Sequence, residues 1–180
     1  PLIPDHIKKL KIQYPNIEFI VQPSDIRCFS NKDYQDNGAI INENISGSDL
    51  LLGVKEVEPN LMIPSKTYLF FSHTSKIQSD NSAAAQGTPG MDKKELIYTM
   101  LKKKITVIDY ENIRDNSSRR YLGFGRFAGI VGCYNSLNLY LKINNKKMMP
   151  KAYEINSYEK LKGHINQHNF ENLKIIVTGD

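Results

Sequence analysis

An α/β fold, with a mostly parallel sheet and flanking helices, is what this sequence predicts, and three observations carry the prediction. Short apolar runs alternate with segments of helical periodicity along the chain. Two of the runs, Leu50-Leu51-Leu52-Gly53-Val54 and Tyr68-Leu69-Phe70-Phe71-Ser72, are continuously apolar, as strands covered on both faces are. Each run ends in a residue able to carry a proton, Lys55 after the first and His73 after the second. Ligands of open α/β sheets bind just outside the carboxyl ends of the strands. Lys and His are also the side chains most readily tuned toward neutral pH. Either residue alone reads as a solvated strand end; the pair, on successive strands, points to a site.

The elements follow in order. Pro4 to Gln13 reads as a helix, with Asp5 in its first turn and Ile7 and Leu10 on one face. Ile17 to Val21 reads as a strand. Ser30 caps a short helix through Asp36, which Gly38 closes. Ala39 to Ile41 is a strand, and Ser46 to Asp49 a turn or short helix. The strands ending near Val54 and Phe71 come next, joined by a loop that Pro59 and Pro64 stiffen. A helix capped by Asp92 runs to Lys104, followed by a strand from Ile105 to Asp109. Arg119 to Phe124 reads as extended. Ala128 to Ile143 is a long apolar helix, Ser157 caps a helix to His168, and Leu173 to Val177 reads as a last strand. The small-residue stretch from Asn81 to Gly90 reads as a flexible loop or insertion, and Asn144 to Pro150 as a polar connector.

Composition narrows the function class. The chain has 180 residues, 40% hydrophobic and 24% charged, enough to bury a core without staples. Its mean hydropathy is −0.44, and no apolar run reaches the ~18 residues of a membrane span. Two cysteines, Cys28 and Cys133, fit a reduced, cytoplasmic setting. The net charge of +5 is dispersed among Asn and Glu, without an aromatic-rich basic stripe, so neither nucleic acid nor membrane is an expected partner. Oligomeric state is not encoded in any feature of the chain.

Gly123-Phe124-Gly125-Arg126-Phe127-Ala128-Gly129 opens a helix, the context for phosphate binding at a helix N-terminus. Arg126 and Phe127 crowd such a turn, so the glycines read better as a hinge and as close packing for the long helix. His164 and His168 have the spacing of a metal pair but no third ligand nearby, and no metal is expected. Arg119 and Arg120 point to opposite faces if the segment is a strand, so that one can clamp a carboxylate. Lys174 to Gly179 has the form of the first strand of a dinucleotide-binding unit. A strand that opens such a unit should not end a fold, so the segment reads either as the sign of a piece of a longer enzyme or as an ordinary C-terminal strand.

Several of these segments together resemble one family. They are Leu51-Leu52-Gly53-Val54-Lys55-Glu56-Val57, Lys66-Thr67-Tyr68-Leu69-Phe70-Phe71-Ser72-His73-Thr74, Ile108-Asp109-Tyr110-Glu111, Arg119-Arg120 and Phe124-Gly125-Arg126-Phe127-Ala128-Gly129. They are similar to the lysine-2-oxoglutarate reductase and lysine-forming saccharopine dehydrogenase group, within the alanine dehydrogenase and transhydrogenase superfamily. The resemblance implies two Rossmann-like domains with the active site between them. Residues 1–125 would form the substrate-side domain. Residues 126–180 would form a bridging helix and the first elements of a truncated nucleotide-binding domain. It implies hydride transfer between NAD or NADP and the carbon–nitrogen bond of saccharopine, with an amino acid and a 2-oxo acid as substrates. Lys55 and His73 match the acid–base pair. Glu56 and Lys76 match charged neighbours that tune that pair, Glu111 matches another cleft carboxylate, and Arg119 and Arg120 match the arginine pair, of which one binds a substrate carboxylate. The cofactor fingerprint would follow Gly179, in the missing nucleotide-binding half. An alanine dehydrogenase-like enzyme and a non-catalytic substrate-binding domain are the alternatives.

Overall fold

The computed structural model of the chain describes residues 2–74, 92–170 and 173–177. It divides into two compact units, one of Pro1–Pro23 with Asn31–Phe124, the other of Ser24–Ser30 with Gly125–Asp180. The first unit opens with helix α1 (Pro4–Gln13), where Pro4 sits in a first turn that needs no N–H from it. Ile7 is buried on its inner face. Strand β1 (Ile20–Val21) pairs in parallel with β2 (Ile40–Ile41), and α2 (Asn31–Asp36) connects them. Gly38 turns the chain out of α2 at φ +91°, a conformation that glycine adopts without the steric cost a Cβ imposes.

The unit also holds a second, all-parallel sheet of β3 (Leu50–Lys55), β4 (Thr67–Phe71) and β5 (Thr106–Asp109), in the order β3-β4-β5. Register fixes which side chains share a face. Leu51 lies opposite Tyr68, Tyr68 opposite Val107, and Phe70 opposite Asp109. Leu51, Tyr68 and Phe70 are buried with Met62 and with Leu96 of helix α3 (Lys93–Lys102). The Tyr68 hydroxyl accepts the Ile63 N–H at 2.7 Å, which satisfies the one polar atom its ring carries into the core. Burial pushes that phenol above its ordinary range. The register slips between Leu52 and Lys55, so the end of β3 bends where the sequence turns charged.

Asp92 caps α3, its carboxylate accepting the Lys94 N–H at 2.9 Å. Asp92→Ala is therefore expected to destabilise this unit by ~1 kcal/mol, as loss of an exposed N-cap does. Hydrogen exchange of the α3 amides would measure it, and unchanged protection would mean that packing of Leu96 alone holds the helix.

The second unit is built on helix α4 (Gly125–Ile143) and helix α5 (Tyr158–Asn166), the latter capped by the Ser157 hydroxyl on Lys160 N–H at 3.2 Å. Tyr134, Leu137 and Leu141 of α4 bury against Met149 and Leu161. Asn138 holds the connector by two bonds to Met149, donating to its carbonyl and accepting its N–H.

The structure departs from the sequence expectations at three places. Leu173 to Val177 forms no strand, and Ile176 and Val177 are almost fully exposed, because no described strand pairs with the segment. Arg119 to Phe124 is not a strand either; Arg114 and Arg120 form a single antiparallel bridge within a loop. Helix α4 begins at Gly125 and not at Ala128, and a Cβ at Gly123, Gly125 or Gly129 would meet nothing within 4 Å. Close packing therefore does not explain those glycines among the described residues. The Asn81 to Gly90 stretch lies outside the described residues, as do Lys76 and the segment after Val177.

Candidate active site

Parallel strands that end side by side bring their terminal residues together. Lys55 closes β3 in register with Phe71, the last residue of β4, and Asp109 closes β5. Beyond these ends lie Glu56, His73 and Glu111.

Glu56 is the centre of the arrangement. Its side chain is wholly buried although it follows an exposed Lys55, because the bend at the end of β3 turns it inward. Nδ1 of His73 lies 3.4 Å from Oε2 of Glu56. The ammonium of Lys93, the first residue of α3, contacts Oε1 of the same carboxylate. The Lys93 side chain is only 11% exposed. Burial pushes its amine below the ordinary lysine range, and the nearby Lys55 ammonium pushes in the same direction. Lys55 is thus close enough to this buried pair to repel one member of it.

His73 is held in an unusual backbone conformation, at φ 53°. For a residue with a Cβ the left-handed region costs roughly 1–2 kcal/mol, so the surroundings must impose it. Its ring stacks on Phe71 with centroids 6.4 Å apart. Phe71 in turn meets Tyr110 and Phe124 edge-on, at 5.1 and 5.6 Å. An apolar wall therefore flanks the imidazole.

The other carboxylate, Glu111, is 3% exposed and pairs through Oε1 with Arg120 Nη2 at 3.1 Å. Its Oε2 is buried and has no hydrogen-bond partner among the described residues. Arg119 instead turns back on its own loop, to Asp115 Oδ2 at 3.0 Å, with its side chain 81% exposed. Of the two arginines only Arg120 joins a buried carboxylate.

Of the residues expected from sequence, Lys55, Glu56, His73, Glu111, Arg119 and Arg120 are placed as above and Lys76 lies outside the described residues; Lys93, Ser72 and Asp109 were not among them. Asp109 carried a readable signal, an acid at the end of an apolar strand. Nothing local distinguishes Lys93 from its neighbour Lys94, since only the placement of α3 turns it inward. His168 has both ring nitrogens against backbone carbonyls, of His164 at 2.9 Å and Lys147 at 3.1 Å. No group of three or more metal-ligating side chains occurs among the described residues. No described helix is long and apolar enough to cross a membrane.

The described residues do not fit a dinucleotide. A strand, a glycine turn and a helix N-terminus must follow one another to hold a pyrophosphate. Before Gly125 no strand leads into the helix, and Leu173 to Val177 pairs with none.

A parallel sheet with flanking helices, and ionisable groups converging at the carboxyl ends of its strands, defines the chain as an α/β protein. The particular family follows from comparison. Residues 1–131 match the alanine dehydrogenase/PNT N-terminal domain family, and the chain belongs to it. It is 37% identical over 138 residues to the mitochondrial alpha-aminoadipic semialdehyde synthase of Bos taurus, a match covering 77% of this chain and 13% of that protein. It is 34% identical over 142 residues to the alpha-aminoadipic semialdehyde synthase of Arabidopsis thaliana, covering 77% of this chain and 12% of that one. The matched region thus spans about an eighth of the length of these relatives.

Proposed function

We propose that the chain is the substrate-side part of a nicotinamide-dependent oxidoreductase that forms and breaks the carbon–nitrogen bond of saccharopine, interconverting it with lysine and 2-oxoglutarate. The kinship with the alpha-aminoadipic semialdehyde synthases supports the substrate class. The observation that carries the chemistry is the cluster at the strand ends, where His73 and Lys93 share the buried Glu56 and Lys55 stands beside them.

In the forward direction the amine of lysine adds to the keto carbon of 2-oxoglutarate and gives a carbinolamine. Loss of its hydroxyl as water requires a proton on the oxygen and removal of one from nitrogen. In this reading Lys55 and His73 carry those two protons, with Glu56 holding the imidazole in place. Arg120, half exposed and anchored on Glu111, faces one carboxylate of the substrate. Reduction of the resulting C=N bond to the amine needs a hydride on carbon and a proton on nitrogen; the hydride would come from a nicotinamide that the complete enzyme would hold outside the described residues, and the proton would return through the same Lys55 and His73 pair. The division of labour follows, with residues 1–125 on the substrate side and residues 126–180 leading into the nucleotide-binding side.

The test is an absorbance assay of the complete protein with NADH and NADPH. Oxidation is expected only when lysine and 2-oxoglutarate are both present, and reduction of the oxidised cofactor with saccharopine. Turnover of alanine in place of saccharopine would replace this reading with an alanine dehydrogenase-like one. Binding of lysine or 2-oxoglutarate with no redox turnover would make the chain a non-catalytic binding domain.

A further inference from the structure

We propose that Asp109 is a positioning residue whose one carboxylate sets the backbone beneath both His73 and Glu111. The inference rests on the site reading above and adds a residue to it. Asp109 is the buried last residue of β5, opposite Phe70 in register. Its Oδ1 accepts the Glu111 N–H at 2.8 Å and the Ser72 N–H at 3.5 Å. Its Oδ2 accepts the Ser72 hydroxyl proton. A serine has one O–H to give, and Asp109 takes it. Ser72 Oγ is then an acceptor toward everything else. It receives the Thr74 N–H at 3.2 Å, and the Thr74 hydroxyl, 2.7 Å away, must be the donor of that pair.

The residues on either side of His73 are therefore tied to each other through Ser72 Oγ, and Ser72 is tied to the neighbouring strand through Asp109. Between them His73 adopts its left-handed φ of 53°. An extended strand has no reason to turn there, and a histidine meets a steric cost in doing so. The same carboxylate also caps the 3-10 turn of Tyr110–Asn112 that carries Glu111 inward. A carboxylate suits this role because it is an acceptor only and can serve three donors at once. Asn at position 109 keeps one acceptor oxygen for the two N–H groups, whereas Ala keeps none.

The experiment compares Asp109→Ala, Asp109→Asn and Ser72→Ala in the complete enzyme. Each variant is assayed well below its melting temperature, and crystal structures read φ at His73. Asp109→Ala should lower kcat by roughly 10²-fold, the effect of an ångström-scale misplacement, with KM for the nicotinamide unchanged. The crystal structure should show His73 outside the left-handed region. Asp109→Asn should restore that φ and most of kcat. If Asp109→Ala does not fold, Ser72→Ala, which cuts only the hydroxyl link, must show the same change in direction. A left-handed His73 retained in Asp109→Ala or in Ser72→Ala overturns the proposal. So does a full wild-type kcat in a variant whose His73 has moved. If the wild-type enzyme turns over neither saccharopine nor lysine, the functional reading fails, and φ at His73 still decides whether Asp109 holds it.

Discussion

Lys55→Met and His73→Ala in the complete enzyme are each expected to lower saccharopine turnover by roughly 10²–10⁴-fold, the range for loss of a positioned acid–base group. The two losses should differ in kind. Lys55 is exposed at the end of β3, so its removal should leave the unit's stability nearly untouched. It should also relieve the repulsion that depresses the Lys93 amine. His73 is partly buried, stacked on Phe71 and set against Glu56, so His73→Ala removes packing as well as a proton carrier. His73→Asn, similar in size and unable to accept and return a proton in this range, separates the two effects. Turnover should fall as far as in His73→Ala while stability is retained. Steady-state assays of the four proteins at several pH values measure this. Wild-type turnover by Lys55→Met and His73→Asn alike would make the pair a structural feature of the strand ends.

The parallel sheet was legible because its signal is local. Leu50 to Val54 and Tyr68 to Phe71 are too short for buried helices and are bounded by charge, and β3 and β4 formed where those runs lie. Asp92 and Ser157 announced their helices by type and position, and each makes its capping bond. What was not legible depends on pairing or on distance. Leu173 to Val177 has the composition of a strand, but a strand exists only if another one accepts it. Arg119 and Arg120 look alike in sequence, and only the loop bond to Asp115 and the pair with Glu111 tell them apart. Lys93 is 37 positions from Glu56 and reaches it only because α3 packs Leu96 onto β4. One lysine of an adjacent pair, Lys93-Lys94, gives no sign of such burial.

That burial makes Glu56 the residue whose loss should matter most for stability. Glu56→Ala leaves the Lys93 ammonium in a low-dielectric site beside Lys55, and breaking a buried pair by removing one partner costs about 3–5 kcal/mol. The double change Glu56→Gln with Lys93→Met should recover most of that loss, because it removes the stranded charge together with its partner. The pH dependence has a definite sign. A lysine whose folded-state pKa lies below its unfolded value destabilises the fold fully while both states are protonated. The penalty shrinks as pH rises through the folded value toward the ordinary lysine range, where the folded state sheds the proton first. Glu56→Ala should therefore be least stable relative to wild type at neutral pH and approach it in alkaline solution. Hydrogen exchange at the β4 amides Tyr68 and Phe70 reports opening of this unit alone and gives the free energy at each pH. A loss below ~1 kcal/mol, flat with pH, would mean that Lys93 swings its ammonium into water once Glu56 is gone. The pair would then orient His73 without holding the fold.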